Sequence, residues 1–420
     1  MITQMVFVGT LVIAWLGAPS AAAQGGTTPL SLAEARSRAL AASPELRAAV
    51  LALTAAVGRT RQAGAWTNPT LSYGREQTSR AGQTTSQSIL SLDQSLEIFG
   101  QRGARRRVAE LEQSATAARL SATRSAVSYE ATRAYAAAVA ATQRAALADE
   151  AARAFGTARR VSRARLAGGD VSGYQHRRLF LEAARYATLR STALLARDSA
   201  LRSLSLLIGS SARTDSAARL ALTDTLAPAP LTLPVDSMVT LALAARSELL
   251  AGQLDAEAAA AGIRAASAER IPALTLSGGY KDERLATGES LRGFVAGVSL
   301  PLPLWDRRGG AIAAARGEGG RRTAELERLR RQTVLEIEDA YAGHQALSGQ
   351  LVELRGQLGE EARKARRSAE AAYAEGEISL LEWLDSVRAY QEAEAAYSTL
   401  WSEYVTRRAA LERLTGLTLF

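Results

Sequence analysis

No cysteine occurs in the chain, which excludes a disulfide framework, a thiolate zinc site and a lipid-modified cysteine. Histidine is nearly as scarce: His176 and His344 are the only two, and Met238 is the only methionine beyond the N-terminal segment. A soft-metal relay of clustered Met or His therefore has no material. Ser, Thr and His are too scattered for a nucleophilic triad, and no glycine loop has the phosphate-cradling pattern, so neither an enzyme nor a cofactor is expected. Lysine is confined to Lys281 and Lys364, and the formal charge of +9 rests almost wholly on arginine. These arginines alternate with Glu and Asp along helical patterns, as on a solvated face, and no nucleic-acid partner is expected. Proline is absent from Gly103 to Leu166 and from Gly310 to Tyr373, which leaves room for two helices of about 60 residues, each roughly 90 Å long.

Long apolar runs are also missing, with one exception. Val6 to Ala18 is followed by Ser20-Ala21-Ala22-Ala23, a signal-peptide pattern with cleavage expected after Ala23, although no Lys or Arg precedes the run. The run is too short to cross a bilayer as a helix, which needs about 20 residues. Residues 1–23 are accordingly expected to be a signal peptide.

What the chain does contain is a duplication. Ala167-Gly168-Gly169-Asp170-Val171-Ser172 interrupts one helical pattern and Ala374-Glu375-Gly376-Glu377-Ile378-Ser379 another, at an offset of 207 that persists to Leu207-Ile208-Gly209 and Leu414-Thr415-Gly416. Upstream, Ala39 to Leu46 matches Ala242 to Leu249, and Pro69 falls on Pro272, at an offset of 203. A period this long is two copies of a domain-sized unit, not a solenoid. The expected division is a first copy over 24–222, a proline-containing linker over 223–234 and a second copy over 235–420.

Each copy reads as helix, two strands, helix. Helices are expected over Leu32 to Ala42 and Glu45 to Ala63, broken at Ser43-Pro44. The period then changes to two, predicting strands at about 69–76, 89–99, 272–281 and 293–304, with Gln77 to Ser88 as a polar loop. Leu71 and Tyr73, then Leu90, Leu92, Leu96 and Ile98, face one way. Leu274, Leu276 and Tyr280, then Phe294, Ala296, Val298, Leu300, Leu302 and Leu304, do the same in the second copy. The long helices must associate lengthwise, as the spacings Leu347, Leu351, Leu354, Leu358 and Tyr390, Tyr397, Tyr404, Leu411 indicate.

Four amphipathic strands per chain have no neighbouring amphipathic helix to cover their apolar face. Lipid would cover it, but four strands are too few to close a barrel, so several copies must share one. Trp66, Phe99 and Trp305 fall at the strand ends beside the long helices, with Arg102, Arg105, Arg106, Arg307 and Arg308 next to them. Trp66, Phe99, Arg102, Trp305 and Arg308 form the expected membrane rim.

These residues resemble the TolC-like outer-membrane efflux family over about Leu30 to Gly416. The resemblance rests on the doubled plan, on Ser43-Pro44-Glu45-Leu46 and Asn68-Pro69, on Leu96 to Gly103, and on Tyr373 to Ser379 with Leu384-Asp385. Phe99-Gly100-Gln101-Arg102-Gly103 is most similar to the heavy-metal efflux branch of CzcC-type proteins. The resemblance implies a mainly α fold with a transmembrane β-barrel: a homotrimer with twelve strands in one outer-membrane barrel, continued by a long periplasmic α-helical tunnel. It implies the exit duct of a tripartite pump for metal ions or small toxic compounds, with a periplasmic adaptor and a proton-driven inner-membrane transporter as partners, in the outer membrane of a Gram-negative-type cell. Alternatives are the exit of a type I protein secretion system and, in a different class, a periplasmic coiled-coil scaffold.

The family assigns roles to two places. The tips Gly169, Asp170, Val171, Ser172 and Gly376, Glu377, Ile378, Ser379 match the segments that meet the adaptor, and Val171 and Ile378 are expected to be exposed there for that contact. Glu382 and Asp385 match acidic residues lining the closed periplasmic entrance, six carboxylates in a trimer, whose repulsion is expected to raise their pKa values. The first copy has Gln175 and Arg178 instead.

Overall fold

Ser43 shows how directly the sequence sets the local structure. It ends helix α1 (Leu32–Ala42) and caps α2 (Pro44–Ala63), its Oγ accepting the Leu46 amide at 3.0 Å. Pro44 fills the first helical position, where no amide donor is needed. The structure, a computed structural model, describes residues 28–210, 220–223, 227–355 and 359–419. The expected signal peptide, the linker residues 224–226 and Leu358 lie outside the described residues.

After α2 come strands β2 (Thr70–Arg80) and β3 (Gln83–Leu96), then α3 (Gln101–Gly168), one helix of 68 residues, and α4 (Gly173–Leu207). The second copy repeats the plan with α5 (Val235–Ala245), α6 (Ser247–Ala268), β5 (Leu274–Arg284), β6 (Ser290–Ser299), α7 (Gly309–Glu353), α8 (Gly359–Glu375) and α9 (Leu380–Thr415). Two short strands, β1 (Thr28–Leu30) and β4 (Leu220–Leu222), pair in parallel and were not anticipated; three residues each are too few for a period-two signal.

Three further expectations need correction. Gln77 to Ser88 is not a loop: β2 and β3 stay paired from Thr70↔Asp93 to Arg80↔Gln83. The turn is only Ala81-Gly82, both at positive φ (49° and 79°), as a tight hairpin requires. The fourth strand ends at Ser299 instead of 304, because Pro301 and Pro303 have no amide to donate. The second long helix is not continuous. It ends at Glu353, and the next begins at Gly359, where a Cβ would lie 2.5 Å from the Leu354 carbonyl oxygen. Only glycine permits that approach.

The helices pack through alanine and a few large side chains. Ala131, Ala136, Ala138 and Ala140 of α3 are buried, and small residues let helix backbones approach closely. A central cluster joins Leu30, Leu32, Tyr135, Leu201, Leu204, Leu347, Leu351, Trp401, Tyr404 and Val405. The Tyr135 hydroxyl donates to the Leu30 carbonyl at 3.0 Å, tying β1 to α3. The linker is pinned as well: the Ala229 amide donates to the Tyr404 hydroxyl at 2.9 Å, and Leu231 and Leu233 pack on Met238, Ile337 and Leu411.

His344 of α7 is fully buried beside the Tyr404 ring, 4.7 Å between centroids, and neither ring nitrogen has a hydrogen-bond partner among the described residues. Burial, with the Arg408 charge nearby, pushes its pKa from 6.5 down to about 4. The unfolded chain therefore takes up this proton first as pH falls. Stability is intact above the unfolded value and is lost between about pH 6.5 and about pH 4. The expected loss is on the order of 2–3 kcal/mol. A His344→Phe variant should show a visibly flatter fall in thermal midpoint over that range; identical pH profiles would rule out His344 as the cause.

Candidate functional site

The site is built from surfaces, beginning with the four-stranded antiparallel sheet, order β2-β3-β5-β6. Its register aligns the apolar residues across every strand: Leu71 is opposite Leu92, Tyr73 opposite Leu90, Leu90 opposite Tyr280, Tyr280 opposite Phe294 and Leu276 opposite Val298. A period of two then puts Leu71, Tyr73, Leu90, Leu92, Leu276, Tyr280, Phe294 and Val298 on one face. Ser72, Ser91, Asp93, Ser277 and Gly279 occupy the other. The apolar face is bare: Phe294 is 92% and Val298 70% exposed. Above the Tyr73 row the same face turns polar with Arg75, Ser88, Asp282 and Arg292, which bounds the band. The outer edges of β2 and β6 pair with no other strand among the described residues.

The expected rim residues lie at the opposite end of this band. Trp305 is 93% exposed, Trp66 and Phe99 are also exposed, and the Arg102 guanidinium stacks over the Trp66 ring at 4.2 Å. Arg308 starts α7 at φ 59° and forms an ion pair with Glu269 at 3.4 Å. Glu97 and Arg105 form a bidentate pair at 2.8 and 2.9 Å, which holds the Glu97 carboxyl below the usual range. Gln101, which sequence reasoning passed over, is buried and donates to the Ile271 carbonyl at 2.6 Å, linking the two copies at the strand–helix junction.

At the other end of the helices, Gly169 and Gly376 end α3 and α8 in the left-handed conformation, at φ 82° and 86°. Ser172 and Ser379 cap α4 and α9, each in a reciprocal box with the residue three positions on, Gln175 or Glu382. Asp170 takes no capping role. Ile378 is not free at the tip as expected: it packs on the aromatic cluster of Phe155, Tyr186, Trp383 and Tyr373. Val171 is half-buried, not exposed.

Glu382 and Asp385 do share an exposed face, opposite the buried Trp383, Leu384 and Val387. The stripe continues through Ala389, Glu392, Ala396, Thr399 and Glu403, all exposed. The rise in pKa expected from mutual repulsion is not found at Glu382 within the chain. Its carboxylate accepts the Ser379 amide at 2.7 Å and hydroxyl at 2.8 Å, and these bonds hold its pKa below the usual value. Asp385 pairs with Arg388 at 3.5 Å. Among the described residues no group of three or more His, Asp or Glu is placed to hold a metal ion. No single helix among them is long and apolar enough to cross a membrane, which says nothing of the sheet.

Residues 238–417 match the family model described as outer membrane efflux protein. No curated protein matches the chain. Solved structures match nearly its whole length. The CusC transmembrane channel superimposes with a TM-score of 0.75 at 18% identity, covering 91% of each chain. The outer membrane protein VceC of Vibrio cholerae gives 0.74 at 21% identity, over 92% of this chain and 96% of that one. The Campylobacter jejuni CmeC outer membrane channel gives 0.77 at 16%, over 92% and 85%. At these identities the structures establish the fold, and the family model matches the second copy. The first copy, built on the same plan, completes a TolC-like fold over the described chain.

Proposed function

We propose that three copies of this chain form one outer-membrane efflux duct, each giving four strands to a twelve-stranded barrel and its long helices to a periplasmic tunnel. The observation that carries this reading is the sheet: a continuous apolar face without cover and two edges without partners among the described residues. In lipid every backbone donor and acceptor must be paired, so a sheet of four strands is viable there only if copies join edge to edge. A water-soluble scaffold would leave Phe294, Val298 and Leu71 in solvent for no return. The named channels among the structural relatives support the same reading.

A second surface favours pooling. α4 runs along α3, and its outer face carries Tyr174, Leu181, Thr188 and Leu195 at intervals of seven, all exposed, with Ala184 and Ser191 between them. That is the seam of a coiled coil lacking its partner helix. A neighbouring copy supplies one. α9 presents the contrasting face, the stripe of acids and small residues from Glu382 to Glu403, suited to a water-filled lumen.

In this duct Trp66, Phe99, Arg102, Trp305 and Arg308 mark the periplasmic membrane boundary. The tips Gly169 to Ser172 and Gly376 to Ser379 meet the adaptor, and Glu382 with Asp385 constricts the entrance. Energy and cargo selection come from an inner-membrane transporter. Cargo, whether metal ions or small toxic compounds, passes in bulk, since the walls offer no ladder of soft ligands.

Replacing Leu181 and Leu195 by Glu puts charge into the seam. Wild-type protein in detergent should elute as a trimer and the double variant as a monomer of unchanged helicity; a variant that stays trimeric would sink this interface. The entrance is tested by Glu382→Gln with Asp385→Asn. Glutamine keeps the capping box, as Gln175 does in the first copy, so only charge is removed. Single-channel conductance should rise severalfold and block by divalent cations should weaken, whereas unchanged traces would refute the entrance assignment. Because the Ser379 bonds lower the Glu382 pKa, wild-type block should persist as pH falls through the ordinary glutamate range and fade only below it.

A further inference from the structure

At the hairpin end of the sheet, the register sorts charged side chains by face. Beyond the row Tyr73, Leu90, Tyr280 and Phe294, the face that carries the apolar band continues through Arg75, Ser88, Asp282 and Arg292, then through Gln77, Ser86, Arg284 and Ser290. Three arginines against one carboxylate leave this stretch a surplus of two positive charges. The opposite face of the same stretch holds Glu76, Glu283 and Glu289 against Arg80 and Lys281, a surplus of one negative charge. Alternation with a period of two keeps the two sets apart.

The arginines on the banded face are also uncommitted. Arg75 and Arg284 are exposed and have no side-chain hydrogen bond or ion pair among the described residues. Arg292, with 67% of its side chain exposed, reaches Asp282 only at 3.9 Å. On the opposite face, by contrast, Lys281 is paired with Glu283 at 2.9 Å. Placement matters as much as charge. Arg75 lies on β2 and Arg292 on β6, the two edge strands. Joining copies edge to edge would put Arg292 of one copy and Arg75 of the next on adjacent strands, where like charges repel. Neither strand offers a carboxylate on that face: β6 has no acidic residue, and Glu76, the only one on β2, faces the other way. Next to these arginines the exposed rings of Tyr73, Tyr280 and Phe294 form an aromatic row, in which Tyr280 and Phe294 meet edge to face at 5.9 Å. Such a row marks the level at which a barrel leaves the hydrocarbon, and the hairpin end is the one away from the long helices.

We infer that, in the trimeric barrel proposed above and resting on that reading, Arg292 of one copy and Arg75 of the next, with Arg284 beyond them, hold the phosphate of an acylated glycolipid in the outer leaflet, whose acyl chains lie on Tyr280 and Phe294. A phosphate accepts from two guanidinium groups at once and removes their repulsion. The aromatic row selects an amphiphile over a free anion, since an ion gains nothing from exposed rings beside it. A zwitterionic lipid brings its own cation to a place already rich in them, so net negative charge is favoured.

The full-length trimer is reconstituted into phosphatidylcholine vesicles containing either lipid A, a phosphorylated acyl disaccharide, or its dephosphorylated form. It is then extracted in mild detergent, and the glycolipid retained per trimer is counted by native mass spectrometry. The expected result is incorporation into both membranes with selective retention of the phosphorylated form. Arg75→Gln with Arg292→Gln should lower that retention roughly twenty-five-fold, about fivefold per arginine, at unchanged trimer mass. Lys281→Gln, at the same end but on the opposite face, should leave it unchanged. Equal retention of the two glycolipids, or retention that survives in the double variant, overturns the phosphate site while the barrel stands. Displacement of lipid A by inorganic phosphate also overturns it, because the arginines would then form an anion site only. A double variant that no longer trimerises overturns it too, by making the arginines structural. A wild-type chain that stays monomeric in the vesicles, or enters none, overturns the barrel reading itself, and this inference with it.

Discussion

The rest of the molecule depends on backbone hydrogen bonds that one chain cannot complete. β3 and β5 are paired on both sides, while β2 and β6 each turn one row of amides and carbonyls outward. On the same sheet the apolar face from Leu71 to Val298 has no helix over it among the described residues. In water both features are liabilities, an open edge inviting aggregation and a hydrophobic face without cover. In the proposed trimer, edge pairing between copies would remove the first and lipid the second. The long helices would follow from that arrangement: three sheets closing a ring would bring the helices leaving their ends side by side and give Leu181 and Leu195 of α4 a helix to pack against.

The duplication was legible because it recurs in kind and in order. Pro69 and Pro272, the paired glycine tips and the heptad Tyr390-Tyr397-Tyr404-Leu411 each state a local rule that the fold obeys. Where the reading failed, a tertiary effect overrode local signals. The polar run Gln77 to Ser88 has loop composition, yet it pairs residue by residue because the backbone ladder begun at Thr70 runs on to the tight Ala81-Gly82 turn, whatever the side chains. The interruption after Glu353 turns on one close approach, Gly359 to the Leu354 carbonyl, which no periodicity encodes. The pairing of Thr28–Leu30 with Leu220–Leu222 joins segments about 190 residues apart, each too short to announce itself. The rim residues were legible as types; the stacking of Arg102 on Trp66 and the bond from Gln101 to the Ile271 carbonyl needed coordinates.

Pseudo-symmetry also separates the jobs of matching residues. Gln175 and Glu382 close the same capping box on Ser172 and Ser379, so either side chain satisfies the helix start. The choice of an acid in the second copy is therefore not explained by capping. It falls at the head of a stripe that is acidic or small in α9, whereas the matching α4 positions Gln175, Arg178, Glu182 and Arg185 mix both signs. Structure fixes the box, and the remaining freedom, charge, is used differently in the two copies.

The break between α7 and α8 falls on this same acidic hairpin, and the first copy has none. α8 leans on α9 through Tyr373, stacked on Trp383 at 5.1 Å. Its ties to α3 are polar and span an open cleft: Arg366 to Glu150 at 2.9 Å and Arg165 to the Ala374 carbonyl at 2.9 Å. Such surface links are worth at most about 1 kcal/mol each. By contrast α4 is joined to α3 by buried Phe155, Leu179 and Tyr186, contacts that cost several kcal/mol to separate. Parting α8 from α3 at the tip is thus cheaper than parting α4 or α9 from it, since Trp383 of α9 packs on the same Phe155 at 5.0 Å. Within the acidic hairpin the loosely held helix is α8, while α9, which carries Glu382 and Asp385, stays packed on α3 through Trp383, Leu384 and Val387.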